Sequence, residues 1–313
     1  MKKITQLVFI AALLSLLSIN TSFSQTYQFL KLDMSARAAA LGGSYVANTD
    51  DPDVIFYNPA GIEFLDKNPV SFSFVKHLLD INLASLAYST EINGIGRIGA
   101  AVKYINYGKF TAADEFGNKT GDYGAGEVAF IAGYANLLDK NFSYGANLEF
   151  IYSKIADRYS TALAFDAGLH YSIPSAETDF GFSILNAGTQ LASYYSTKEN
   201  LPLDIVFGVS KKMEHIPVRL SLDFHNLNDQ SDSFFQKFQA FSIGAEFNLS
   251  KVLKLRFGYD NERRTELTVG GFSGLAGFNA GLGAVISNYR FDYGFSSLGL
   301  IGALHRISIS TNL

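Results

Sequence analysis

The chain has 313 residues, within the range of one large all-β domain, and a net charge of −4. Charged residues make up only 17% of it, below the roughly 25% of soluble domains, whereas Phe (27) and Tyr (17) are abundant. The lack of cysteine excludes disulfides and thiol catalysis, and the lack of a basic run argues against nucleic acid as a partner. Few charges with many aromatics and glycines suit strands that face lipid.

The first 24 residues have the pattern of a secretory signal peptide. Lys2 and Lys3 supply a charged start, and residues 7–17 form a nearly unbroken apolar run. Ser22-Phe23-Ser24 then places small residues before Gln25, as a cleavage site requires. The apolar run is shorter than the ~20 residues of a spanning helix, so we expect cleavage rather than anchoring.

From residue 69 to 313 the hydrophobicity alternates with a period of two, which is the period of a β-strand. One face of each strand carries large, apolar side chains, and the other carries small or polar ones. An example is Tyr144, Ala146, Leu148, Phe150 and Tyr152 against Ser143, Gly145, Asn147, Glu149 and Ser153. Fourteen strand candidates start near residues 70, 82, 96, 125, 142, 161, 178, 203, 217, 237, 252, 277, 288 and 303.

The connectors between these candidates alternate between short and long. Long ones cover Thr111–Tyr123, Thr189–Pro202, Asn226–Phe234 and Asn261–Ala276. An even strand number with short turns at one end and long loops at the other is typical of outer-membrane barrels. The sequence therefore predicts an all-β fold: a transmembrane antiparallel β-barrel of about fourteen strands in the outer membrane, with the N-terminus on the periplasmic, short-turn side.

Residues 25–68 lack the strand pattern and predict a compact, partly helical plug in the barrel. Residues 35–41 indicate one or two helical turns with Ser35 as N-cap, ended by Gly42-Gly43. Asp50-Asp51-Pro52 indicates a turn, and the run from Phe56 to Gly61 indicates a turn into another short helix.

The N-terminal segment resembles the signature of the PorV/PorQ family. The resemblance rests on Phe29-Leu30-Lys31-Leu32, the run Ser35 to Gly43, Asp50-Asp51 and Tyr57-Asn58-Pro59-Ala60-Gly61. That family is related to FadL-type fatty-acid transporters, which have fourteen strands and an Asn-Pro-Ala element in an N-terminal hatch. The motifs cover about thirty-five residues, and the rest matches in length and strand pattern.

The resemblance implies a component of the type IX secretion system, acting either in general secretion or for one dedicated surface protein such as an adhesin used in gliding motility. Its partners would be translocon or attachment-complex proteins, or secreted cargo with a C-terminal signal domain, in contact with outer-membrane lipid. The alternative is a FadL-like channel for hydrophobic small molecules, with a pocket under the outer loops and a movable hatch. A continuous apolar cavity would distinguish the channel from the adaptor.

Candidate partner-binding residues lie in two apolar outer loops. They are Leu267, Phe272, Leu275, Leu298, Leu300 and Ile301. The alternative is that these loops fold inward and cap the lumen. In the plug, Arg37 either latches onto a lumen carboxylate or is solvated, and Asn58-Pro59 suits a structural turn better than a ligand contact. Charges of both signs on the lumen faces suggest mutual pairing rather than a selectivity lining.

No catalytic or cofactor chemistry stands out in the sequence. The five histidines, His77, His170, His215, His225 and His305, have no metal-ligand spacing. We see no convincing set of nucleophile, base and acid. The sequence therefore predicts a protein that is not an enzyme and needs no cofactor or metal.

Overall fold

The computed structural model describes residues 25–229, 234–268 and 273–313. The predicted signal peptide, residues 1–24, lies outside the described residues, as does the candidate loop residue Phe272. Among the described residues, no helix is long and apolar enough to cross a membrane.

The chain forms a closed barrel of fourteen antiparallel strands in sequential order, with the last strand paired to the first. The strands are β1 (Pro69–Lys76), β2 (Asn82–Ile92), β3 (Gly96–Ala113), β4 (Lys119–Asp139), β5 (Phe142–Ile155), β6 (Arg158–Ile173), β7 (Thr178–Ala192), β8 (Asp204–Lys212), β9 (Val218–Phe224), β10 (Phe241–Asn248), β11 (Leu253–Asp260), β12 (Phe278–Ile286), β13 (Tyr289–Ser297) and β14 (Ala303–Asn312). The predicted fold and strand number are confirmed.

The period-two pattern separates the outside of the barrel from the lumen. On β5, Leu148 and Phe150 are 55% and 43% exposed, whereas Asn147 and Glu149 are 1% and 3% exposed. Successive side chains of a strand point to opposite faces, so the apolar set forms a belt on the outer wall. Such a belt is the surface that lipid covers in a membrane barrel.

The barrel has a short-turn end and a long-loop end, as the connector lengths predict. The prediction of a long loop over Thr111–Tyr123 is largely wrong. Strands β3 and β4 pair as far as Ala113 and Lys119 and leave only residues 114–118 between them. Ladder hydrogen bonds thus extend this hairpin in spite of its glycines and polar residues. The loop after β11 contains a short helix, α2 (Asn261–Glu266).

Residues 25–68 fill the lumen and are called the hatch below. They contain α1 (Ala36–Ala40) and 3₁₀ helices at Gln28–Lys31, Pro52–Phe56 and Pro59–Phe64. The predicted cap is confirmed, because the Ser35 hydroxyl accepts the Ala38 N–H. The last two 3₁₀ helices each begin with proline after an Asx cap, a position where the missing N–H is harmless.

The hatch runs through the barrel from one end to the other. Its described start is at the long-loop end, where the Thr26 N–H donates to the carbonyl of Asn200 in the β7–β8 loop at 3.0 Å. It leaves at the short-turn end, where Pro69 begins β1. The sequence predicts the N-terminus at the short-turn end of the barrel. The first strand does begin at that end, whereas Gln25 lies at the opposite, long-loop end.

Candidate functional site

The outer half of the lumen is apolar on one side, and the start of the hatch fills it. The wall contributes Val75, Leu83, Ile105, Ala129, Ile151, Ala162, Ala164 and Leu201, a set called the outer pocket below. Tyr27, Phe29, Leu30 and Met34 of the hatch pack against it, and Phe29 and Met34 are each 1% exposed. Barrel lumens are normally polar, so this apolar wall on β1–β6 is a distinctive feature.

Polar groups of the wall fix this part of the hatch through its backbone. The Lys103 Nζ donates to the Leu30 carbonyl at 2.8 Å, and the Arg306 Nε donates to the Asp33 carbonyl at 2.9 Å. The Tyr27 hydroxyl forms a hydrogen bond with the Ser160 hydroxyl. Buried polar groups of wall and hatch thus satisfy each other.

Arg37 lies at the centre of an ion-pair network between hatch and wall. Its guanidinium contacts Glu246 of β10 (Nε–Oε2 2.9 Å) and Asp50 of the hatch (Nη1–Oδ1 2.8 Å). Glu246 also pairs with Arg256 of β11 at 2.6 Å, and Arg256 pairs with Asp292 of β13 at 2.7 Å. Arg37 and Arg256 are fully buried, so removing either would take a close counter-ion away from Glu246, which is itself buried.

Asn58 and its neighbours tie the lower hatch to the wall. The Asn58 amide donates to the carbonyls of Val46 (2.8 Å) and Leu169 of β6 (3.0 Å), while its oxygen caps the Ala60 N–H. Pro59 starts the following 3₁₀ helix. The contacts of Asn58 and Pro59 are therefore those of a buried structural turn that joins the hatch to β6.

Asp53 is a buried acid of the hatch that is hydrogen-bonded to the barrel wall. Its carboxylate accepts the hydroxyls of Ser71 and Ser73 on β1, and it is 2% exposed. Burial and the neighbouring Asp51 carboxylate raise the pKa of Asp53 to about 7.

A belt of glycines lets backbone and side-chain atoms of the hatch touch the barrel wall. At each of them an added Cβ would meet hatch atoms at van der Waals distance or closer. They are Gly99, Gly133, Gly145, Gly168, Gly181, Gly208, Gly244, Gly258, Gly281 and Gly294, on ten different strands. They form five directly opposed cross-strand pairs, such as Gly244–Gly258 and Gly281–Gly294. Glycine in a strand interior often marks such a close approach, but the sequence analysis did not use this signal.

The space left beside the hatch is small and is lined by both apolar and charged side chains. A cavity of about 70 Å³ is lined by the carboxylates of Glu149, Asp166 and Asp223 together with Lys103. It shares Asp33 and other residues with a depression of about 580 Å³ at the long-loop end, called the outer mouth. The outer mouth is lined by six carboxylates (Asp33, Asp204, Asp229, Asp260, Glu262 and Glu266) against Lys31, Arg263 and His225. A passage is therefore blocked by the hatch in this structure.

The barrel wall is interrupted beside the outer pocket. Pairing between β7 and β8 stops at Leu185–Asp204, and the rest of β7 pairs only with β6. The β7–β8 loop covers the opening, with the Asn186 amide donating to the Pro202 carbonyl at 3.1 Å and Leu201 inserted into the outer pocket. Side chains and a loop, rather than ladder hydrogen bonds, close the wall here.

The predicted loop residues separate into exposed and half-buried ones. Leu275, Leu300 and Ile301 are 66%, 74% and 56% exposed, and Leu79 of the neighbouring β1–β2 loop, which sequence reasoning missed, is 87% exposed. Leu267 and Leu298 are half-buried. The loops are adjacent, since a Cβ at Gly299 would lie 3.1 Å from that of Ala276, and one at Gly302 would lie 2.8 Å from Leu78 Cδ2. We call Leu79, Leu275, Leu300 and Ile301 the loop patch.

The described residues contain no group of three or more acids and histidines that could hold a metal ion.

Several solved structures of bacterial transporters share the fold of this barrel. The Pseudomonas putida toluene transporter TodX matches with a TM-score of 0.62 at 13% identity, over 90% of this chain and 99% of that chain. The Ralstonia pickettii toluene transporter TbuX gives 0.60 at 12% identity, over 89% and 98%. A Pseudomonas aeruginosa FadL homologue gives 0.56 at 10% identity, over 89% and 98%.

No protein-family model matches the chain, and no curated protein matches it significantly. At these identities the structural similarity establishes the fold alone, a closed β-barrel like those of these transporters.

Proposed function

We propose that this protein is a channel for small, uncharged hydrophobic molecules, gated by the hatch. The observation that carries the proposal is the outer pocket, an apolar surface on the lumen side of six neighbouring strands, occupied by Phe29 and Leu30 of the hatch. Displacing these two side chains would expose an apolar pocket of the kind that binds hydrophobic ligands. The transporters TodX and TbuX have the same fold, which supports the proposal by analogy only.

The charge of the outer mouth favours uncharged molecules over fatty acids. Six carboxylates against three basic side chains, Lys31, Arg263 and His225, give the outer mouth an excess of negative charge. An excess of one sign of charge in a cleft lowers the local concentration of ligands of that sign. A fatty-acid anion is therefore disfavoured on the way to the outer pocket, whereas a hydrocarbon is unaffected.

The interruption between β7 and β8 supplies a route from the outer pocket that avoids the packed hatch. Leu201 belongs both to the outer pocket and to the loop that covers the interruption. Movement of this loop breaks few backbone hydrogen bonds, since the ladder between β7 and β8 ends at Leu185. The proposed path thus leads sideways from the outer pocket toward the membrane.

Emptying the outer pocket is expected to increase the affinity for a neutral hydrophobic ligand. Each buried Phe or Leu side chain stabilises the bound hatch by about 1.5–3 kcal/mol. The Phe29→Ala/Leu30→Ala variant should therefore bind toluene or the uncharged dye N-phenylnaphthylamine about tenfold more tightly or better, as measured by fluorescence titration in neutral detergent.

Three comparisons make this experiment decisive. Phe116→Ala, which removes an 81% exposed side chain, should leave the affinity unchanged. Ala164→Phe fills the outer pocket from the wall and should weaken binding, and laurate should compete poorly in every variant. Equal affinity of the wild type, the double variant and Ala164→Phe would contradict a channel that uses this pocket.

A second candidate function is that of a surface component of the type IX secretion system. The loop patch favours it, because four exposed aliphatic side chains on adjacent loops form a surface suited to a protein partner. The resemblance of Phe29–Leu32 and Ser35–Gly43 to the PorV/PorQ signature points the same way. The expected partners are translocon or attachment-complex proteins, or cargo with a C-terminal signal domain.

Pull-down of the tagged protein from its native outer membrane tests this second candidate. We expect the wild type to retain translocon proteins or cargo, and Leu300→Ser/Ile301→Ser to retain about tenfold less, since central apolar residues dominate interface energy. Leu138→Ser/Leu249→Ser, with 67% and 57% exposed side chains at the short-turn end, is the matched control. Recovery of the barrel alone from wild-type membranes would refute the secretion role.

A further inference from the structure

Outside the lumen, the lipid-facing wall has a recess at the long-loop end of β3, β4 and β5. Its volume is about 600 Å³. The recess follows β4, where Gly124, Gly126 and Val128 point outward, and it is bounded by taller side chains of β3 and β5. We call it the wall groove. It is separate from the hatch, the outer mouth and the loop patch.

The register of the three strands defines the walls of the groove. In one row, Val128 lies between Tyr104 on β3 and Tyr152 on β5; in the next row outward, Gly126 lies between Asn106 and Lys154. Lys109 pairs opposite Gly124 after a bulge in β3. The groove is thus flanked by two tyrosines toward the membrane and by two lysines toward the outside.

The tyrosines place the groove at the membrane–water boundary. Tyr104 and Tyr152 are 44% and 37% exposed, and Tyr159 of β6 stacks on Tyr152 with ring centroids 6.5 Å apart. On β5 the opposite aromatic belt is marked by Tyr144. Eight residues separate Tyr144 from Tyr152, about 26 Å along the strand and about 20 Å along the axis of a tilted barrel, close to the usual apolar band. Tyrosine is enriched where one end of the ring is in lipid and the other in water.

The two lysines lie just outside that boundary and face an open space. Lys109 and Lys154 are exposed, and they flank a strand whose facing residues, Gly124 and Gly126, have no side chain. Their backbones are two strand spacings apart across β4 and offset by two residues along it, about 12 Å in all, so both long side chains can bring their ammonium groups to a single phosphate held over β4. The residues that line the groove include these two cations and no carboxylate.

We propose that the wall groove binds one phosphate-bearing membrane lipid of the outer leaflet. Lys109 and Lys154 hold the headgroup phosphate, and an acyl chain lies in the recess over Gly126 and Val128 between Tyr104 and Tyr152. The charge and the shape both require this occupant: a neutral lipid leaves the lysine pair unsatisfied, and a free phosphate leaves the apolar recess empty. The proposal is independent of what passes through or docks onto the barrel.

Native mass spectrometry of the barrel in neutral detergent, titrated with synthetic bisphosphorylated lipid A, tests the proposal. We expect one lipid to be retained by the wild type, and Lys109→Gln/Lys154→Gln to bind it at least about tenfold more weakly, since each lysine near a phosphate adds to the attraction. Gly124→Leu should weaken binding to a similar extent by filling the groove. Its added Cβ meets only the Gly108 carbonyl, at 3.7 Å, so the barrel tolerates it.

The controls separate a specific site from general attraction of lipid to lysine. Lys76→Gln/Lys119→Gln removes two exposed lysines elsewhere at the long-loop end and should keep wild-type affinity. Dephosphorylated lipid should bind weakly to all variants. Equal retention by wild type and Gly124→Leu, equal losses in the two double-lysine variants, or equal binding of the dephosphorylated lipid would each overturn the site. Heat-modifiable migration on gels verifies that every variant forms the barrel.

Discussion

Arg37→Ala is expected to cost about 3–5 kcal/mol of the free energy that holds the hatch in the lumen, the usual cost of breaking a buried ion pair. The guanidinium contacts both carboxylate oxygens of Glu246, at 2.9 and 3.0 Å, and both of Asp50, at 2.8 and 3.2 Å. Alanine leaves Asp50 without this partner and leaves Glu246 with Arg256 and Lys254 only, so two charges lose stabilisation at once.

Limited trypsin cleavage of the purified barrel, followed by mass spectrometry, measures the effect. Cleavage after Lys31, which lines the outer mouth between the buried residues Leu30 and Met34, should become much faster in Arg37→Ala while the strands stay resistant. Lys212→Ala is the matched control, because the Lys212–Glu177 pair, at 2.9 Å, has side chains 49% and 40% exposed. Exposed pairs contribute about 1 kcal/mol or less, so this control should resemble the wild type. A hatch equally protected in Arg37→Ala would contradict the latch.

Gly258→Val is expected to force the hatch off one side of the barrel wall. A Cβ at Gly258 would overlap the backbone of Leu41 and Gly42, and backbone atoms of a packed segment have little room to shift. Overpacking costs about 1–3 kcal/mol and occasionally more. Because the opposed Gly244 is also in contact with Leu41, the displaced segment has no space on the neighbouring strand.

Passage of a small polar dye through proteoliposomes, together with trypsin protection of the hatch, measures this displacement. Gly258→Val should leak dye and lose protection. Gly124→Val, on the outer wall, adds the same side chain next to the Gly108 carbonyl alone and should do neither. If Gly258→Val stayed as tight as the wild type, the glycine belt would not be needed for closure.

These two variants also connect the hatch to the proposed channel. A loosened hatch withdraws Phe29 and Leu30 from the outer pocket, so both variants should bind a neutral hydrophobic ligand better than the wild type. A packed, ion-paired hatch implies that the closed barrel is the ground state and that opening needs an input of free energy.

The sequence by itself determined the fold class, the strand count and the inward and outward faces. Alternation with a period of two is a local property, and every face it assigns follows from neighbouring residues alone. The Ser35 cap and the Asn58-Pro59 turn were likewise readable, since caps and proline positions act within four residues. Residues 111–123 were misjudged because their composition suits a loop, and only pairing between β3 and β4 makes most of them strand.

Only the tertiary structure decided what fills the lumen and how. Arg37 and Glu246 are 209 positions apart, and their contact depends on barrel closure, strand register and the path of the hatch together. The same holds for the glycine belt, whose members look unremarkable in single strands and align only when ten strands are placed around the hatch. The outer pocket, the interruption beside β7 and the wall groove likewise arise between strands. Local patterns fix which way a side chain points, whereas its partner across the barrel is set by long-range register, which no local pattern encodes.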